Sequence, residues 1–291
     1  MIYVSAKIIS GKDFANKRLS MLKNFRAELI KKPCLAIITV GNNPASEIYV
    51  RNKQKCCEQL NIDCIVVKKN YDRDMKCDAI EDDLKETIYS LNQDDKVTAI
   101  MIQLPLPTYI NEDRILDCIS PLKDVDGLTD VNMGKLAKFE SGGIRPCTPK
   151  GIIDLLQRDD IDLTGKEVVI VGRSNIVGKP LAMMFLAEDC TVTVCHSYTT
   201  NLAQHTRNAD ILVVAVGKPK FITKDMVKPG AVVVDVGINR VDGKIVGDVS
   251  PDVAEVAGYM TPVPGGVGPV TVAYLIENVL DIEFNKENDL Q

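Results

Sequence analysis

The amino-acid sequence predicts an α/β protein built as two three-layer lobes with mostly parallel sheets. Short apolar runs alternate with amphipathic stretches of helical length, the pattern of a parallel sheet covered by helices on both faces. The alternation halts in SGGIRPCTPKG (141–151), a stretch rich in glycine, proline and polar residues that marks a boundary, and then restarts. A length of 291 residues suits two domains better than one.

In the first half, CLAIITV (34–40), CIVVKK (64–69) and TAIMIQL (98–104) read as buried strands. Helices are expected over 12–29, 45–60 and 78–91. After the boundary the strands are EVVIVG (167–172), TVTVCHS (191–197), ILVVAVG (211–217) and AVVVDVG (231–237). A second break, TPVPGGVGPV (261–270), precedes a helix over 271–284 that is expected to return to the first domain. The first domain is therefore drawn as 1–145 completed by 270–291, and the second as 146–269. The closing NKENDLQ is expected to fray.

Composition narrows the function classes. Apolar residues make up 45% and charged residues 26%, ordinary values for a chain that buries real cores. Thirty-five basic against 40 acidic side chains leave a net charge of −5, with no general attraction for nucleic acid or anionic membranes. The N-terminus lacks the pattern of a signal peptide, and the longest apolar runs, such as Ile211–Val216, are too short to span a bilayer. Nine cysteines without CxxC spacing fit free thiols in a reducing cytosol. With only two histidines, no metal site is expected.

The strand EVVIVG leads into Gly172-Arg173-Ser174-Asn175-Ile176-Val177-Gly178-Lys179-Pro180 and then the helical LAMMFLAE. Strand, glycine loop and helix in this order suit a dinucleotide pyrophosphate. Glycine lets the backbone approach closely, and the helix N-terminus offers free N–H groups. The second lobe is accordingly expected to be a Rossmann-type dinucleotide-binding domain. The spacing is not GxGxxG, however, and a tight strand-to-helix turn without a ligand would carry the same loop. NAD-specific enzymes place an acid about 20 residues further on, against the ribose hydroxyls. Here that strand ends Cys195-His196-Ser197, with no acid. Arg173 and Ser197 suit a 2′-phosphate instead, so NADP is expected rather than NAD. The competing reading of Arg173 is a solvated loop residue. His196 reads as a strand-end residue rather than a catalytic base.

In the first half, CLAIITV leads into Gly41-Asn42-Asn43-Pro44-Ala45-Ser46 and a helix carrying Tyr49 and Lys53. Asn43 or Ser46 is placed to cap that helix. Tyr49 and Lys53, four residues apart, share one helix face. They follow a strand end, where open α/β sheets bind ligands. TAIMIQL delivers Gln103, followed by the stiff Leu104-Pro105-Leu106-Pro107. An amide in an apolar strand needs partners, either loop backbone or Lys53. Lys123-Asp124-Val125-Asp126-Gly127 puts two acids in a turn, an arrangement also common on surfaces.

Together these segments resemble the methylenetetrahydrofolate dehydrogenase/cyclohydrolase family. The matching runs are Ser46…Tyr49…Lys53, Gln103 to Pro107, Lys123 to Gly127, Pro146-Cys147-Thr148-Pro149 and Gly172 to Gly178. They continue with Asp235-Val236-Gly237-Ile238-Asn239 and Pro262-Val263-Pro264-Gly265-Gly266-Val267-Gly268-Pro269, in family order over nearly the whole chain. The resemblance implies a catalytic lobe completed by the C-terminal helix, a Rossmann lobe, and folate in the cleft between them. It implies oxidation of 5,10-methylenetetrahydrofolate to the methenyl form with NADP and hydrolysis to 10-formyltetrahydrofolate. The implied setting is one-carbon metabolism and purine biosynthesis, in a cytosolic homodimer.

The resemblance makes Lys53 the catalytic lysine, supported by Gln103, with Tyr49 stacked on the folate. Asp126 would hold the pterin. Ile102 and Leu104, with Pro264, Gly265, Gly266, Val267 and Gly268, would line the folate site. Gly172, Arg173, Ser174, Ser197 and Ile238 would contact the cofactor. One departure is visible: the family commonly continues the aspartate turn as DGFH, where this chain has Asp126-Gly127-Leu128-Thr129. That puts the packing beneath Asp126 in question.

The chemistry asks for these groups. Hydride transfer needs alignment more than acid or base help. Hydrolysis of the methenyl cation needs a water and a proton acceptor. A free lysine is protonated at neutral pH, so burial and the substrate's positive charge would have to favour its neutral form. Two other functions fit a two-lobed chain of this kind. A hydroxy- or amino-acid dehydrogenase would have no use for Gln103 or Asp126, and a nucleotide-sensing module would have no use for Lys53.

Overall fold

The computed structural model describes residues 5–71 and 75–288, the side chains at 44 and 45 excepted. The elements run β1 (Lys7–Ile8), α1 (Gly11–Glu28), β2 (Cys34–Val40), α2 (Pro44–Gln59), β3 (Asp63–Lys69), α3 (Cys77–Gln93), β4 (Ala99–Ile102), α4 (Glu112–Leu116) and α5 (Asp130–Ala137). They continue with α6 (Cys147–Arg158), β5 (Glu167–Val171), α7 (Gly178–Ala187), β6 (Thr191–Cys195), α8 (Leu202–Thr206), β7 (Ile211–Val214) and β8 (Val232–Asp235). The last are β9 (Asn239–Val241), β10 (Lys244–Val246), β11 (Tyr259–Met260) and α9 (Val267–Asn288). No described helix is long and apolar enough to cross a membrane.

The chain divides into two compact units. Arg18–Arg145 and the chain from Leu275 onward form one; the segment up to Lys17 and Pro146–Tyr274 form the other. These compact units differ from the domain limits drawn from sequence at two places. The N-terminal segment goes with the second unit because β1 pairs in parallel with β11. The first turns of α9 go there too, where the Tyr274 hydroxyl donates to Asp154. Neither two-residue strand has a period long enough to announce itself in sequence. The C-terminal helix is longer than the expected 271–284. Of the tail expected to fray, 285–288 continue α9, and 289–291 lie outside the described residues.

In the first unit a parallel sheet of order β3-β2-β4 is built on a central strand whose Cys34–Ile38 are buried throughout. Ile80, Leu84 and Ile88, one stripe of α3, pack with Ala36, Ile38, Ile100 and Ile102. The crossover from β2 leads outward to β3, and the next returns past β2 to β4. That reversal opens a crevice beyond the carboxyl ends of β2 and β4. The fourth strand is shorter than the expected 98–104: pairing stops at Ile102, before Pro105, although Gln103 N still donates to the Ile38 carbonyl.

The C-terminal part of α9 is bound into this unit through polar side chains. Glu277 accepts from Arg18 Nε at 2.5 Å and Nη2 at 2.8 Å. Glu283 accepts from Thr98 Oγ1 at 2.5 Å, and that oxygen accepts from Cys34 N. Asn278 Nδ2 donates to the carbonyls of Val125, at 2.9 Å, and Arg145.

The second unit holds a six-stranded sheet of order β1-β11-β8-β7-β5-β6, parallel at every pairing, with β9 and β10 as a separate antiparallel hairpin. Val169, Val171, Leu212, Val214 and Val233 share its core. This doubly wound order reverses between β5 and β7, which places the crevice beside the loop that follows β5.

Replacing Asn278 tests the anchoring of α9. Asn278→Leu keeps the branched shape, with somewhat more bulk, but leaves two carbonyls without their donor, and is expected to cost about 2 kcal/mol. Denaturant midpoints for variant and parent measure this, and an unchanged midpoint would show that the two carbonyls find other donors.

Candidate active site

The crevice of the first unit gathers the residues singled out in its sequence. Lys53, on α2, is buried and donates from Nζ to Gln103 Oε1 at 2.9 Å. Gln103 is held in turn, because its Nε2 donates to the Leu104 carbonyl at 2.8 Å. The amide therefore uses both options left open by the sequence: one end satisfies loop backbone and the other fixes the lysine. The Leu104–Pro105 peptide is cis. Ile102 is buried at the end of β4, and Leu104 packs on the core beneath it. Tyr49 is half-buried one turn before Lys53. Ser46 and Gln103 line a cavity of about 250 Å³, together with Thr39, Gly41 and Arg51.

The two acids of the following turn are sorted by burial. Asp124 is buried and accepts from Thr129 N at 2.8 Å and Asn132 Nδ2 at 2.9 Å. It is a structural group. Asp126 is half-buried, carried on a turn closed by Gly127 N and the Asp124 carbonyl. The unusual Leu128-Thr129 is accounted for locally. Leu128 packs on the β2/β4 core, while Thr129 Oγ1 accepts from Asn132 N as the N-cap of α5.

In the second unit the loop after β5 is tightly built. Gly172 has φ +127°, and a Cβ there would overlap the Ala215 carbonyl. A Cβ on Gly178 would overlap the Gly172 carbonyl. Ser174 Oγ accepts from Val177 N and Gly178 N, and so holds the start of α7. Arg173 and Ser197 are exposed at the ends of β5 and β6. The Arg173 guanidinium lies 5.8 Å from the ring centroid of Tyr198, an exposed aromatic that the sequence reading passed over. His196 is a strand-end residue as expected, its Nδ1 accepting from Tyr198 N.

Ile238 is exposed, and Gly268 lies beside it, close enough for a Cβ there to touch its Cδ1 at 3.6 Å. Along the run Pro264–Gly268, Gly265 takes φ +102°, and its carbonyl accepts from Lys12 N. Gly266 and Val267 are buried, while Pro264, which follows a cis peptide, is exposed. The sequence reading also left Asp235, Asn239 and Asp248 without roles; all three are hydrogen-bonded behind these loops. An aspartate closing the apolar strand VVVD was the signal available for them.

Comparison with known proteins identifies the family. The sequence profile of the tetrahydrofolate dehydrogenase/cyclohydrolase catalytic domain matches residues 9–126, and that of the NAD(P)-binding domain of the same family matches 146–287. The bifunctional protein FolD of Acetivibrio thermocellus is 48% identical over 283 residues, covering 95% of this chain and 96% of that protein. The crystal structure of the bifunctional FolD from Campylobacter jejuni superposes with a TM-score of 0.92 at 44% identity, covering 97% of this chain and 100% of the other. A Trypanosoma brucei FolD, solved with NADP cofactor and inhibitor, gives 0.89 at 35% identity, covering 98% and 99%. The chain belongs to the tetrahydrofolate dehydrogenase/cyclohydrolase family, a methylenetetrahydrofolate dehydrogenase and methenyltetrahydrofolate cyclohydrolase on one polypeptide.

Proposed function

We propose that Lys53 is the proton acceptor of the hydrolytic step and that NADP is the hydride acceptor of the oxidative one. The observation that carries this reading is the 2.9 Å bond from Lys53 Nζ to Gln103 Oε1, in a buried setting at the mouth of a parallel sheet. A lysine with one N–H tied to a fixed amide keeps its direction whichever charge state it holds. In hydrolysis, water adds to the methenyl carbon and gives its proton to the neutral Lys53 amine. The carbon–N5 bond then breaks with N5 protonated, leaving the formyl group on N10. Asp126, when ionised, accepts from the pterin amino and ring nitrogens, and Tyr49 stacks on the folate. Ile102, Leu104 and the run Pro264–Gly268 supply further folate contacts.

Gly172, Arg173, Ser174, Ser197 and Ile238 would hold the dinucleotide. The fit is supported by the loop itself, whose glycines at 172 and 178 bring backbone against backbone at the start of α7. When bound, NADP supplies the nicotinamide that takes hydride from the methylene carbon. Arg173 and Ser197 bind the 2′-phosphate, and the Trypanosoma relative with bound NADP favours this cofactor. The reading extends to a cytosolic homodimer that feeds one-carbon units to purine biosynthesis. The nine free cysteines support a reducing compartment.

Three variants test these assignments. Lys53→Met keeps length and removes the amine; hydrolysis of methenyl-folate is expected to fall roughly 10²–10⁴-fold. Oxidation should fall less, so that methenyl-folate accumulates and is seen by its absorbance. Hydrolysis at the parent rate would end the proton-acceptor assignment. Arg173→Ala is expected to weaken NADP about tenfold more than NAD, as loss of one charged phosphate contact predicts. Equal losses for the two cofactors would refute the 2′-phosphate role. Asp126→Ala should raise the folate KM by about one to two orders of magnitude while NADP affinity stays constant. Unchanged folate kinetics would make that aspartate a turn residue only.

A further inference from the structure

Two buried carboxylates stand behind the crevice of the second unit. Asp235, the last residue of β8, is buried; its Oδ1 accepts from Gly237 N and Asp248 N, and its Oδ2 from Val249 N, each at 2.9 Å. Its own N–H donates to Thr261 Oγ1 at 2.8 Å. Asp248 is fully buried; its Oδ2 accepts from Val216 N at 2.7 Å and Gly217 N at 2.8 Å, and its Oδ1 from Asn239 Nδ2 at 2.8 Å. Each carboxylate thus takes three N–H donors; three of the six are backbone groups just beyond the carboxyl ends of β7 and β8, two are backbone groups that follow β10, and one is the Asn239 side chain. A Cβ on Gly237 would overlap the Asp248 carboxyl, and one on Gly247 would overlap that of Asp235.

The strands of this sheet need no such brace, since ladder bonds satisfy them. What the carboxylates fix is the loop pair. Val216 and Gly217 follow directly on Ala215, whose carbonyl backs the Gly172 loop. Gly237 and Asn239 flank Ile238, whose side chain is exposed. Burying two negative charges is costly unless each is fully hydrogen-bonded, and water could satisfy exposed loop amides at no such cost. Burial pushes the Asp235 carboxyl up to about 6, against the pull of its backbone donors.

We propose that Asp248 and Asp235 are positioning residues for the dinucleotide, holding the loops at 215–217 and 237–239 in the conformation that receives it. The proposal rests on the reading of this unit as the NADP site.

The test uses the full-length enzyme. Asp248→Asn keeps an oxygen for Val216 and Gly217 but sets two amide nitrogens face to face at Asn239. It is expected to raise the NADP Kd about tenfold, the worth of one lost charge-assisted bond, with the folate KM unchanged. Adding Asn239→Asp restores a donor opposite an acceptor and is expected to recover at least about threefold of that loss. Val253→Ala, which thins the core of the same unit, should lower Tm while leaving the Kd as in the parent. If Asp248→Asn does not fold, Asn239→Ala, which at a half-buried site removes the bond to Asp248 and a longer one to the Val246 carbonyl, should raise the Kd about threefold. The proposal is overturned if the braced-loop variants bind NADP like the parent, if the double variant recovers nothing, or if Val253→Ala weakens NADP as much as Asp248→Asn. A parent enzyme that does not bind NADP would instead overturn the underlying reading of the unit.

Discussion

A parallel sheet whose successive crossovers leave a central strand in opposite directions must open a crevice at that strand's carboxyl end, and both units are organised by this constraint. In one, the reversal at β2 and β4 brings α2 and the end of β4 together, so that a lysine from the helix meets a glutamine from the strand. In the other, the reversal at β5 and β7 sets the Gly172 loop against Ala215. The side chains that carry chemistry are few. Their placement follows from the winding of the chain, and the remaining polar groups hold the loops at the crevice mouths.

The polar residues of α9 show how far this support reaches. Glu277, Asn278 and Glu283 are buried on a helix that otherwise presents apolar groups such as Leu275, Ile276, Val279 and Leu280. Each finds a partner distant in sequence, so none is left as an isolated buried polar group. Asn278 bonds the carbonyl of Val125, between the structural Asp124 and the half-buried Asp126. The geometry of the aspartate turn thus depends on a residue more than 150 positions away.

Much of this was legible in the sequence. Continuous apolar runs such as CLAIITV and EVVIVG announced their strands because buried parallel strands need no alternation. Tyr49, Lys53 and Gln103 were legible because helix spacing and strand ends fix directions locally. What escaped depends on non-local pairing. β1 is two residues long and exists only because β11 lies beside it. The support given by Asp248 could not be seen, since its donors lie 9 to 32 residues away along the chain. The Leu128-Thr129 departure looked like a loss in sequence, yet it is a helix cap and a core contact, and only packing could reveal that.

The exposed position of Arg173 and Ser197 has an evolutionary corollary. The shape of the loop after β5 is set elsewhere, by Gly172, Gly178 and Ser174. The two side chains proposed to meet the ribose substituent carry little of that burden. Exchanging them leaves the scaffold intact, so cofactor preference in such a unit can drift between lineages by a few surface substitutions, at almost no cost in foldability.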